Sequence, residues 1–151
     1  MNSFRKLLIA LTAGALAFGA TLLAGCGKQG VKKLEPAKPV ATQSVTITDA
    51  ALEAGVRDTL KFGKMHQGEI IAKSLRVENG NERPIVLLRH ITTCGCVNVV
   101  YDRKPIAKGE SATIEFELDS KSLQGWQMKL MEFYFADKDT PMKIYIEAEV
   151  E

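Results

Sequence analysis

The sharpest chemistry in this chain lies in Thr92-Thr93-Cys94-Gly95-Cys96, two cysteines separated by a single glycine. Three chemistries fit that spacing. The first is a disulfide. Extended backbone places positions i and i+2 about 7 Å apart, the upper limit for a bridge, so the chain must bend, and glycine permits the bend. So small a loop stabilises by only about 1.5 kcal/mol on chain-entropy grounds. A strained bridge of this kind is easily reduced. The second is a pair of free thiols packed as small hydrophobes in a strand corner. The third is a soft metal such as Cu(I) or Zn(II), with His90 as a candidate third ligand beside Cys94 and Cys96. A Cys-x-Cys without a second ligand pair is a thin metal signal. A thioredoxin-type Cys-x-x-Cys opening a helix is not present.

The rest of the chemistry is sparse. There is no nucleophile-elbow pattern, no phosphate-cradling glycine loop and no His-Glu-x-x-His. The chain holds two histidines, and His66, within Lys64-Met65-His66-Gln67-Gly68, reads as a surface turn residue. No catalytic residue is therefore assigned. The expectation is a non-enzyme without a cofactor.

A third cysteine, Cys26, carries a different message. Arg5 and Lys6 precede an apolar, small-residue run from Leu7 to Leu23, and Leu23-Ala24-Gly25-Cys26 closes it. A basic start, an apolar middle and small residues before a cut mark a secretory signal. The run, about 17 residues, is near the lower limit for spanning a bilayer. Cysteine after Leu-Ala-Gly resembles the bacterial lipobox, in which the thiol is diacylated and becomes the new N-terminus. Residues 1–25 are thus expected to be a lipoprotein signal peptide, with palmitate-type acylation at Cys26. Two acyl chains anchor stably where one is marginal.

Cleavage there changes the charge balance. Arg5 and Lys6 leave with the signal, so 126 residues remain with 18 basic and 18 acidic side chains. The basicity of the whole chain belongs to targeting and argues for no nucleic-acid partner. That length suits one domain with a real core. In an exported chain Cys94 and Cys96 meet oxidising conditions.

Residues 26–43 hold two prolines, two glycines and four lysines and almost nothing to bury. They read as a flexible tether. From Ser44 the signals are those of strands. Ser44–Asp49 alternates, Ala50–Val56 suits one short helix or a helical turn, and Asp58–Gly63 suits another strand. Ile71, Leu75 and Val77 share a face of a strand over Glu69–Glu78, closed by the turn signal Asn79-Gly80-Asn81. Ile85–Ile91 has too many aliphatics for a half-exposed edge, and Val97–Tyr101 follows the cysteines. Ala112, Ile114, Phe116 and Leu118 face one way. Met142, Ile144, Ile146, Ala148 and Val150 repeat that period. Gln127–Ala136 is apolar in both phases, so it is either a central strand covered on both sides or the bearer of an exposed patch. Cover by the tether or by Ala50–Val56 is the simpler expectation. Seven or eight short strands with intervening turns predict an all-β antiparallel sandwich over residues 44–151.

Several of these residues together resemble a known family. Phe62-Gly63, Gly68, Val77-x-Asn79-Gly80, Pro84, Thr93-Cys94-Gly95-Cys96, Pro105-Ile106-x-x-Gly109 and Gly125 are similar to the bacterial domain of unknown function 1573. Lys108 stands where that family usually has proline, and His90 where it usually has an aliphatic residue. The resemblance implies an exported protein, often a lipoprotein. It also implies an immunoglobulin-like sandwich of the Hydin and major-sperm-protein type, whose members mostly act in adhesion or scaffolding. It brings no established activity. Gly27 after the lipidated cysteine is not the aspartate that favours inner-membrane retention. The expectation is an outer-membrane lipoprotein facing the periplasm, a non-catalytic binding or scaffolding module for an envelope partner. The competing expectation is a thiol-redox or soft-metal protein.

Overall fold

A computed structural model describes residues 43–151. Cys26, the signal peptide and most of the tether lie outside the described residues. Among the described residues the chain runs β1 (Gln43–Ile47), α1 (Asp49–Ala54), β2 (Arg57–Met65), β3 (Ile70–Asn79), β4 (Leu87–Thr92), β5 (Val97–Tyr101), β6 (Ser111–Asp119), β7 (Gly125–Phe135) and β8 (Met142–Val150). The first sheet has the order β1-β3-β6-β5 and the second β2-β8-β7-β4. The fold is an all-β sandwich.

The period-two segments build its core. Ile114, Phe116 and Leu118 of β6 are fully buried, as are Met142, Ile144 and Ile146 of β8. Phe116 meets Phe133 of β7 edge-to-face across the two sheets, with ring centroids 5.9 Å apart, a favoured aromatic geometry. The one helix is short and locally encoded. Thr48 caps it by accepting from the Ala51 amide at 3.0 Å, and Gly55, at φ 83°, ends it in the left-handed region. Its Leu52 is buried in the same core.

Two expectations need correction. The sandwich is not purely antiparallel, because β1 pairs with β3, and β2 with β8, in parallel. Alternation reports which side chains are buried but says nothing of a neighbour's direction. Direction follows from the connections, and β1 reaches β3 only after α1 and β2 have crossed to the other sheet. The turn signal Asn79-Gly80-Asn81 does end β3, and from there the chain crosses from the first sheet to β4 in the second. Second, Ile85–Ile91 is not a covered strand. Ile85 forms only an isolated bridge to Ile106, and β4 lies at a sheet edge. A register shift between Leu87 and Arg89 interrupts the alternation, so Leu87 is buried while Leu88 and Ile91 are exposed by 47% and 43%.

Another irregularity serves packing. Between Lys61 and Gly63 the register of β2 on β8 shifts, with Gly63 at φ 80°. Glycine takes that backbone without penalty. Leu60 points inward before the shift, Phe62 within it and Met65 after it, so the buried phase changes within one strand.

Candidate functional site

The Cys-Gly-Cys segment is where the chain leaves the second sheet at β4 and enters the first at β5. The bend comes from local hydrogen bonds. Thr92 Oγ1 accepts from the Cys94 amide at 3.3 Å and donates to the Cys94 carbonyl, also at 3.3 Å. That carbonyl accepts again from Val97 N–H at 3.5 Å, and the Cys96 carbonyl accepts from Asp119 N–H at 2.9 Å. The corner is thus pinned to β6. It brings the two cysteine Cα atoms to 5.2 Å, well inside the extended spacing, and a disulfide joins their sulfurs.

Both cysteines are half-buried and Gly95 is exposed. Cys96 packs partly against the core. Its amide N–H donates to Cys94 Sγ at 3.2 Å. An open groove runs past the corner, lined by Cys94, Gly95, Cys96, Asp119, Lys121 and Ser122. Lys121 supplies a cation there and Asp119 an anion, whose Oδ1 accepts from the Lys121 amide at 2.9 Å.

His90 faces another way. Its Nδ1 lies 3.3 Å from the Tyr101 hydroxyl. Its ring contacts those of Tyr101 and Phe133 at centroid distances of 5.6 and 5.8 Å. Among the described residues, no three His, Cys, Asp or Glu side chains gather as a metal-binding group, and His90 is not brought together with the cysteines as one. The imidazole instead closes the open edge between β4 and β5, with Tyr101 as its polar partner.

Burial pushes the His90 pKa below its ordinary 6.5, and the Arg103 guanidinium pushes it further down. The unfolded chain therefore binds this proton more tightly than the folded one. Stability from the neutral ring is whole above about pH 6.5 and is lost as pH falls through the lowered folded value. His90→Phe keeps the ring packing and removes the titration. Between pH 7.5 and pH 5 its urea midpoint should fall less than that of the unaltered protein. Parallel losses in both would assign the acid sensitivity to other groups.

His66 is an exposed turn residue: its carbonyl accepts from Ser120 Oγ at 2.7 Å and its amide donates to Glu69 Oε2 at 2.9 Å. Ser120 is buried and its single hydroxyl proton is shared with the Glu69 carbonyl, 2.9 Å away, so this corner is structural.

A second candidate lies on the outer face of β7. Met131, Phe133 and Phe135 take the inward phase, leaving Trp126 and Met128 outward and exposed by 63% and 47%. Leu130, half-buried, continues the stripe and pairs across with Tyr145 of β8. Glu149 and Glu147 lie opposite Trp126 and Met128, while Glu132 pairs with Lys143 at 3.5 Å. Beyond them Arg89 stacks on the Tyr134 ring, 3.8 Å from its centroid. Helix α1 leaves this apolar stripe exposed, so its cover of β7 is not what the described residues show. A further groove, of about 570 Å³, is lined by Asp49, Arg83 and Lys138 among others. Asp49 pairs there with Lys138 at 3.0 Å and Arg83 at 4.0 Å.

Sequence reasoning missed the groove partners Asp119, Lys121 and Ser122, which lie at and just beyond the end of β6 and carry no local signal. It also missed the use made of Asn79, read there only as a turn residue.

No curated protein matches the sequence. A protein of unknown function from Porphyromonas gingivalis W83 is similar in fold, with a TM-score of 0.54 at 19% identity over 73% of this chain and 49% of its own. The Vibrio cholerae VesB protease gives 0.50 at 16% identity over 60% of this chain and 30% of its own. The chain thus spans about half of the first protein and less than a third of the second. At these identities the likeness is one of fold alone. The family model described as protein of unknown function (DUF1573) matches residues 54–150, from the end of α1 to the last strand. The chain belongs to that family.

Proposed function

We propose that this protein is a membrane-anchored periplasmic lipoprotein, most simply of the outer membrane, serving as a non-catalytic binding or scaffolding module. The observation that carries this reading is the outward Trp126 and Met128 on β7, beside half-buried Leu130. Large apolar side chains set side by side on a rigid strand, rimmed by Glu132, Lys143, Glu147 and Glu149, have the make-up of an interface core with a charged rim. Tryptophan in particular contributes strongly at contact centres. The partner is an envelope protein met within reach of the anchor. Cys26, after Leu23-Ala24-Gly25, supplies the anchor. The absence of nucleophile, base or phosphate-cradle motifs supports a binding role over a catalytic one.

Two measurements test it. Fatty-acid labelling in cells should mark the unaltered protein and not Cys26→Ser; no label on the unaltered protein removes the anchor. A photo-cross-linking residue at Met128 should give a discrete adduct with an envelope protein in living cells. The same residue at Thr113, on the exposed face of β6, should give none. Equal labelling at both positions would deny the β7 face its role.

A further inference from the structure

We propose that Cys94–Cys96 is a native-state thiol–disulfide exchange site, open to a protein dithiol from the groove beside Asp119, Lys121 and Ser122, with Cys96 as the sulfur attacked. This does not depend on the β7 face, none of whose residues lines the groove beside the corner.

The bond closes a loop of minimal size, with a sequence separation of 2. Such a loop removes little entropy from the unfolded chain, so the fold has little reason to depend on it. The corner is held independently by Thr92 Oγ1 on Cys94 and by Asp119 N–H on the Cys96 carbonyl. These bonds involve no sulfur and can persist after reduction. Access is also provided for. Gly95 is exposed, and a Cβ built on it would meet nothing within 4 Å. Both cysteines line the open groove.

The two sulfurs are not equivalent. Cys94 Sγ accepts the Cys96 amide N–H at 3.2 Å, whereas Cys96 packs partly against the apolar core. Hydrogen bonding favours a thiolate and apolar burial disfavours it. The better leaving group is therefore Cys94. A partner thiolate attacks Cys96 Sγ, a new S–S bond forms to Cys96, and the Cys94–Cys96 bond breaks. Its electron pair leaves on Cys94, which then takes up a proton. The partner's second thiol attacks the mixed disulfide, releases Cys96 as a thiol and closes the partner's own disulfide. Two electrons and two protons pass from the dithiol to this chain, with no further oxidant or reductant.

The test uses the purified full chain in detergent and, as probe, a thioredoxin-fold protein whose resolving cysteine has been replaced. Free thiols are alkylated after mixing without denaturant, and fragmentation mass spectrometry places the adduct. That mapping also separates these cysteines from Cys26. Expected are a mixed disulfide at Cys96 in at least tenfold excess over Cys94, and alkylated Cys94 in the same molecules. Reduction by dithiothreitol should leave the melting temperature within a few degrees of the oxidised protein, as should the double change Cys94→Ser and Cys96→Ser. An adduct that forms only in denaturant, one that favours Cys94, or a reduced protein that has lost its cooperative melt would each overturn the proposal. The last two would mark a differently polarised bridge and a structural staple.

Discussion

Ile144→Asp should remove most of the stability of the sandwich. Ile144 has no exposed surface and lies in β8, which is hydrogen-bonded to β2 on one side and β7 on the other. Burial of an isoleucine side chain contributes about 2 kcal/mol, and that contribution would be lost. A carboxyl without a designed partner would also enter the core, ionised at a high energetic cost or protonated and poorly hydrogen-bonded. A total of roughly 4–5 kcal/mol is a large part of the 5–15 kcal/mol that holds domains folded, and corresponds to a fall in Tm on the order of 20 °C. Thr113→Asp is the control. Thr113 is on the exposed phase of β6, directly across from Arg76 of β3, so a carboxylate there stays in water near a cation. Its urea midpoint should stay within about 0.5 kcal/mol of the unaltered protein. Equal losses at the two positions would contradict the inward assignment of Ile144.

Why β6 and β8 were readable while β4 was not follows from what alternation encodes. Ala112 to Leu118 and Met142 to Val150 each keep one phase from end to end, because both strands lie between neighbours and cover one core face. In β4 the register slips at Leu88, so consecutive aliphatics point to different environments and imitate a buried run. In β7 the two phases were equally apolar, and the sequence left open what lay outside. The described residues leave Trp126 and Met128 uncovered. Strand direction was not legible at all, since the parallel pairs join the start of the domain to β3 and to its last strand. The Cys-Gly-Cys bend was partly legible because glycine and the short spacing demand it. The companions of the cysteines in the groove come from beyond Leu118, too distant in sequence for any local pattern. His90 stood four residues from Cys94 and suggested a ligand, but its hydrogen-bonding partner, Tyr101, is on the strand after the corner.

The turn at Asn79 gives the other large effect expected. Asn79 is 1% exposed, yet its whole amide is used. Nδ2 donates to the Arg83 carbonyl at 2.8 Å and to the Ile106 carbonyl at 2.9 Å, while Oδ1 accepts from Asn81 N–H at 2.8 Å. One side chain thus ties the exit of β3 to the approach to β4 and to the loop before β6. Neighbouring backbone bonds share the load: Asn79 N–H donates to the Glu110 carbonyl, and Gly80 N–H to Ile47, each at 2.9 Å. Asn79→Ala removes three hydrogen bonds at a buried site, where each orphaned group costs about 1–3 kcal/mol before relaxation and water entry. A loss of about 3 kcal/mol is expected. Asn79→Asp keeps the acceptor for Asn81 but aims a carboxylate at two carbonyls, so it should be no milder. Position 80 beside the clip suits glycine, because a Cβ there would meet the Cγ2 atoms of Thr46 and Thr48, each at 2.9 Å. Asn81→Ala should cost less, since Asn81 is only half-buried and water can replace it at Asp49 N–H and the Ile47 carbonyl. Amide exchange gives the local signature. Ile85 and Ile106 bond each other at 3.1 and 2.8 Å beside this clip, and both amides should exchange faster in Asn79→Ala than the overall stability loss accounts for. If their exchange speeds up no more than that of β8, or the urea midpoint does not move, Asn79 is an ordinary turn residue and the clip holds nothing.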